Sequence, residues 1–313
     1  MVVYTRPPKL AWGILGIALL GVSSGGPLLA SMPEVPPFLR ASWRLWATSI
    51  VLAPGLYVQR AWFFEQGLDI RSATMVLMSG IALAVHFAAW TWSLDHTSLA
   101  HSLLFVTSHP IVIVTAMVIV QRKFDMVLVS GAMIGFLGAA LALLDASPTG
   151  DVTYAGDAAA FVGAVAGAAY LGAGRLLRST GKMPLFVYAF PVTFISALTL
   201  SLISVWLETP PDSISSHPLG WLGPSYFLPV SALALGAGLL GHTGLNASLR
   251  WMPPIIVSVA LLFEPILGTA IGYVILGQLK IGLWTPIGGV LMIIGASILT
   301  IWLDRESKPK GTD

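Results

Sequence analysis

Two short stretches hold chemistry-bearing residues where a membrane protein keeps few of them. "ALLFEPIL", residues 260–267, sets Glu264 before Pro265 inside an apolar run, and "LLFVTSHPIV", residues 103–112, sets His109 before Pro110 in the same way. An ionisable side chain at the centre of a membrane helix costs roughly 2.5–3.5 kcal/mol on insertion scales, and a proline there removes a backbone hydrogen bond. Glu264 is deep within its run, so snorkelling cannot carry its carboxylate to water. It must face a protein interior or a wet cavity. Two roles fit: a carboxylate that titrates protons or binds a substrate amine, or a structural carboxylate bonding backbone groups released by Pro265. The same pair of readings holds for His109, whose neutral form is cheaper to bury.

Other polar residues fall at helical spacing around these two. His101, Phe105 and His109 recur every fourth residue and share a helix face, while His86, Trp90 and Ser93 form a second mixed face on the preceding run. His242 and Asn246 make a third. Tyr170, Ser23 and Ser24 would complete a cavity lining, with interhelical hydrogen bonding as the alternative for each. Arg44 reads either as an attractor of anionic substrate or as a structural ion pair with Glu34, Asp95 or Asp157; the ion pair is the reading adopted. Arg40, nearer the end of its run, is expected to snorkel. His86, His101 and His109 lack a short ligand spacing and no acidic cluster accompanies them, so neither metal nor cofactor is expected. No P-loop, Gly-x-Ser-x-Gly or paired carboxylates occur, which points away from an enzyme.

The elements that position these residues follow from composition. Of 313 residues, 56% are hydrophobic and 10% charged, against about 25% charged in a soluble domain. Ten runs are long enough to cross a bilayer, at 10–30, 38–58, 74–94, 99–120, 127–145, 155–177, 185–207, 226–248, 254–276 and 282–303. The first follows only a few basic residues and lacks a clear cleavage site, so it reads as the first span and not as a signal peptide. With the N-terminus inside, Arg40, Arg44 and Lys280 are the only ones of 16 lysines and arginines outside the cytoplasmic connections and tails. That bias supports an even number of spans with both termini cytoplasmic. The formal net charge of +2 offers nothing to a nucleic acid, and the absence of cysteine excludes disulfides and thiol chemistry.

Aligning His109-Pro110 with Glu264-Pro265 also pairs "GAMIGFLGAA" with "GGVLMIIGAS" after a two-residue shift. The expected fold is therefore all-α, ten transmembrane helices arranged as two inverted five-helix repeats over 1–150 and 151–313, divided in the turn-rich segment 145–156. Glycines such as Gly131, Gly135, Gly288 and Gly295 suit close helix packing.

The stretch "GLLGHTGLNASLRWMPPIIVSVALLFEPILGTAIGYVILGQ" resembles the second-half signature of the EamA family, in the drug/metabolite transporter superfamily. "GDAAAFVGAVAGAAYLGAGRLLRS" looks like that family's sixth span, and "PPFLRASWRLWATSIVLAP" like its second, with Arg44 at the usual arginine position. Gln278 and Arg122-Lys123 depart from the family pattern at helix ends. The resemblance implies a central cavity and outward movement of small organic metabolites. The expectation is an alternating-access exporter of amino-acid-like compounds in the plasma (inner) membrane. Its partners would be a small-molecule substrate, membrane lipids and protons taken up by His109 and Glu264, with a homodimer compatible. One alternative is a nucleotide-sugar or sugar-phosphate antiporter. Another, of a different class, is a non-transporting membrane protein such as a lipid scramblase or a receptor-like subunit.

Overall fold

The structure is a computed structural model and describes residues 7–121, 125–145, 153–208, 215–276 and 283–306. Arg122-Lys123, Gln278, Lys280 and most of the expected repeat boundary lie outside the described residues. Those described are helical, with connecting turns and no strand. Eight helices are long and apolar enough to cross a membrane. We label the segments α1 (Lys9–Ala30), α2 (Pro37–Gln59), α3 (Ile70–His96), α4 (Leu99–Val106), α5 (His109–Gln121), α6 (Met126–Ala142), α7 (Tyr154–Arg175), α8 (Leu185–Leu207), α9 (Pro224–Ser248), α10 (Pro254–Ala260), α11 (Glu264–Leu276) and α12 (Trp284–Glu306). Two of them fall short as simple spans: α2 carries Arg40 and Arg44 among its buried residues, and α6 is apolar but only 17 residues long.

Helix starts are set by local chemistry. Asp69, Asp125 and Thr153 accept hydrogen bonds from backbone N–H groups in the first turns of α3, α6 and α7, which satisfies donors that a helix terminus otherwise leaves bare. Beside Asp69 the Ser72 N–H holds the carboxyl below its ordinary pKa. Pro37, Pro224 and Pro254 stand in the first turns of α2, α9 and α10, where the missing N–H has no partner to lose.

Pro110 and Pro265 use the same allowance inside long apolar segments. The run expected as one helix at 99–120 is two, since Thr107 and Ser108 interrupt it and His109-Pro110 opens α5. In the second matched segment a single 3-10 turn, Leu261–Phe263, stands at the corresponding place and Glu264-Pro265 opens α11. A proline deprives the carbonyl four residues earlier of its α-helical donor. The 3-10 turn repairs this in part, because the Glu264 N–H bonds to the Leu261 carbonyl instead.

The helices approach closely where glycines face each other. A Cβ on Gly138 or Gly295 would lie 2.6 Å from a backbone oxygen of the partner helix in the α6–α12 pair, and one on Gly21 would meet Gly241 and Gly236 of α9 as tightly. Interhelical packing without a hydrophobic driving force depends on such backbone approach. Gly288 and Gly289 separate the effect cleanly, since a Cβ at 288 overlaps the Gly138 carbonyl oxygen while one at 289 meets nothing within 4 Å. In detergent-solubilised protein, Gly288→Ala is expected to lower stability by about 1–3 kcal/mol through overpacking. Gly289→Ala should raise it by roughly 0.5–1 kcal/mol through helix propensity. Equal thermal midpoints for the two variants would contradict this packing.

Candidate functional site

At the level of the two breaks, α1, α2, α3, α4, α5, α7, α9 and α11 surround a polar cavity. Its lining includes Arg44, His86, Trp90, His109, Tyr170, His242 and Glu264, closed by Val22, Val106, Leu171, Leu245 and Leu261. The volume is about 30 Å³, enough for a water molecule or two and far below the roughly 300 Å³ at which small-molecule pockets begin. Any metabolite entering it must push the walls apart.

Three imidazoles crowd this space. The His86 ring lies 6.0 Å from those of both His109 and His242, and Tyr170 lies 6.1 Å from His242. His86 Nδ1 is tied to the Gly163 carbonyl at 2.8 Å, whereas Nδ1 of His109 and of His242 is buried without a hydrogen-bond partner. Gly167 makes the crowding feasible: a Cβ there would strike His109 Nε2 and His86 Nδ1. No cluster of histidine and acidic side chains fit to hold a metal occurs among the described residues.

Arg44 is 1% exposed, and its guanidinium packs over the Phe87 ring at 4.3 Å, a favourable cation–π placement. Its Nε and Nη1 have no hydrogen-bond partner, and no carboxylate among the described residues comes within 4.0 Å. The expected structural ion pair is therefore misplaced by one helical turn. It belongs to Arg40, which is 0% exposed and does not snorkel. Arg40 bonds Asp95 at 2.6 Å and also donates to the carbonyls of Leu29, Met32 and Thr91. The reason is position: Arg40 reaches the turn at the end of α1 and the last turns of α3, while Arg44 points one turn deeper, into the cavity.

Three further expectations change. His101 and Phe105 do not continue the face of His109, because the helix breaks between them. His101 instead meets Asp157 at 3.3 Å, and Thr97 donates to the same carboxylate at 2.7 Å. Ser23 and Ser24 spend their hydroxyls on their own helix, at Leu19 and Gly21 carbonyls, and neither lines the cavity. Asn246 stands behind the lining, donating to the Tyr170 hydroxyl, with its own Oδ1 unpartnered. Gly167 lines the cavity without being among the expected site residues.

Polar clusters lie toward the two ends of α7. Toward the start of α7 lie the Thr97–Asp157–His101 cluster and Glu208, whose carboxylate accepts the first N–H groups of α2 at Phe38 (2.7 Å) and Leu39 (3.0 Å). Burial pushes the Glu208 carboxyl above its ordinary pKa, and these bonds, with that from Ser204, pull it part of the way back. Toward the end of α7, Arg175 and the buried Arg178 donate to the Leu249 and Asn246 carbonyls at the close of α9.

No family model and no curated protein matches the chain. It is similar to a solved structure described only as "Crystal structure of protein", with a TM-score of 0.71 and 21% identity over 96% of this chain and 99% of that one. That likeness shows the fold, an all-helical bundle, and nothing of function.

The two arginines differ in pairing, Arg40 being ion-paired and Arg44 not. Arg40→Gln should remove the partner of Asp95, itself 30% exposed, and leave the Leu29, Met32 and Thr91 carbonyls unmet, costing about 1–3 kcal/mol, read as a fall in folded protein. Arg44→Gln removes two unpartnered buried donors along with the Phe87 contact and the nearby counter-charge of Glu264, and should lower the amount of folded protein less than Arg40→Gln does. Equal losses of folded protein would make Arg44 the anchor after all.

Proposed function

We propose that the protein is a secondary-active, alternating-access carrier of a small polar or amphipathic metabolite, an exporter of amino-acid-like compounds that performs no covalent chemistry. One observation carries this reading: a buried guanidinium and a buried carboxylate, Arg44 and Glu264, line one cavity between spans within reach of each other's charge but without a direct ion pair, and Nε and Nη1 of Arg44 have no hydrogen-bond partner. Groups kept for stability alone are paired when buried. A ligand with an acidic and a basic group would satisfy both, and the aromatic and imidazole walls would cover its remainder.

In this reading the chain has ten spans in two inverted repeats, with α2 and α6 completing the set, and belongs with the EamA transporters of the drug/metabolite superfamily. Both termini are cytoplasmic, in the plasma (inner) membrane. The matched breaks before His109 and Glu264 are the hinges. Repeat-built carriers place their sites at discontinuous helices near the midplane, and the halves rock around them. The clusters toward each end of α7 are then the two gates. Glu264 and His109 exchange protons with the medium as the cavity opens to either side, which couples substrate movement to the pH gradient.

Glu264→Gln preserves shape and hydrogen-bonding capacity while removing titration. In proteoliposomes this variant should retain substrate exchange at equal pH and lose accumulation driven by a pH gradient. His109→Gln should weaken the pH dependence without abolishing flux. Wild-type accumulation by Glu264→Gln would reduce the carboxylate to a structural role and leave a uniporter or exchanger.

A further inference from the structure

A second cleft, of about 200 Å³, opens on the outside of the bundle between α1 and α12. Trp12, Gly16 and Leu19 of α1 form one wall, Ala296 and Thr300 of α12 the other, and Phe263 of the 3-10 turn contributes to the floor. The lining is apolar in effect, because the Thr300 hydroxyl is already donated to the Ala296 carbonyl at 2.8 Å. Around it Ile17, Leu20, Ile293 and Ile301 are exposed, at 55%, 56%, 56% and 53%, on helices long and apolar enough to cross a membrane. Hydrocarbon chains are the medium that such a surface meets. From Trp12 to Leu19 the cleft follows α1 for two turns, roughly 10 Å.

The open end of this cleft carries a charge. Lys9 begins α1 one turn before Trp12, so the two share a face. Lys9 is exposed, and no hydrogen bond or ion pair engages it among the described residues. Tryptophan and lysine at a span's end are the residues that sit at headgroup level, the lysine stem along the apolar surface and its ammonium in the polar layer.

We infer that the α1–α12 cleft is a binding site for one glycerophospholipid, with an acyl chain along Gly16 and Phe263 and the phosphate on the Lys9 ammonium. The chain packs behind the turn Leu261–Phe263, whose first residue and its successor Glu264 line the central cavity. One 3-10 turn thus separates bound lipid from the polar site. An occupied cleft supports that turn from outside.

Glycine positions make a controlled test, since a Cβ at Gly16 or at Gly13 meets nothing within 4 Å, yet only Gly16 lines the cleft. Native mass spectrometry of the detergent-purified full chain, titrated with phosphatidylglycerol or phosphatidylcholine of identical chains, reads the lipid adduct directly. Wild type and Gly13→Phe should each hold one lipid, and Gly16→Phe should bind about tenfold more weakly. Lys9→Gln should lose any preference for phosphatidylglycerol. Equal adducts in all variants, or displacement by a single-chain detergent regardless of Lys9, would overturn the site. Loss of a protein dimer in Gly16→Phe, with the lipid adduct unchanged, would overturn it too, making the cleft an interface between copies. A second readout needs no cleft-filling variant: Trp12 emission, taken as wild type minus Trp12→Phe, should be quenched by a trace of acyl-brominated phospholipid and saturate. Quenching that only tracks the bulk fraction of brominated lipid would deny a site.

Discussion

Desolvation of charge governs this molecule more than any other term. A guanidinium and a carboxylate held inside a membrane-spanning bundle each forfeit hydration, and a direct ion pair would recover much of that loss. Arg40 and Asp95 take that course, and they sit near an end of the bundle where carbonyls of α1 and α3 add further acceptors. Arg44 and Glu264 do not. They line the same cavity and feel each other's charge without a direct ion pair, with Phe87 under the guanidinium. The unmet cost is what a ligand, or protons and water, can relieve.

The backbone is arranged to permit that cavity. Glycines bring α6 against α12 and α1 against α9 at backbone contact, which gives rigid pairs with little side-chain volume between them. Prolines act at the opposite places. By opening new helical segments at residues 109–110 and 264–265 they let the chain turn where it meets the polar site. Rigid pairs joined through broken helices are suited to rocking, because packed interfaces resist continuous deformation and hinges concentrate the change.

Much of this was legible in sequence, and the misses have physical causes. Apolar run length located α3, α8, α9 and α10–α11 to within a few residues, since hydrocarbon thickness fixes a span's length. His86, Trp90, His109, Tyr170, His242 and Glu264 were recognisable as lining because apolar runs make polar intruders conspicuous. Periodicity could not show that residues 99–120 form two helices, so His101 and Phe105 were carried onto a face that ends at Val106. Hydroxyl groups mislead for a different reason: Ser23 and Ser24 satisfy themselves on their own helix, an option every span offers. Arg40 and Arg44 differ by one turn, and only the tertiary position of Asp95 distinguishes them. Gly167 carries no chemistry at all, yet without its missing Cβ the imidazoles could not meet.

The central claim is that the cavity between Arg44 and Glu264 opens alternately to the two sides of the membrane. The chain contains no cysteine, so a single Val106→Cys substitution places one thiol on the cavity wall, directly before the break. Its labelling by a membrane-impermeant maleimide in right-side-out and in inside-out vesicles measures access from each face. The account predicts reaction from both faces, each suppressed when the protein is held closed by a bound ligand. Reaction from one face only, or from neither, would contradict it.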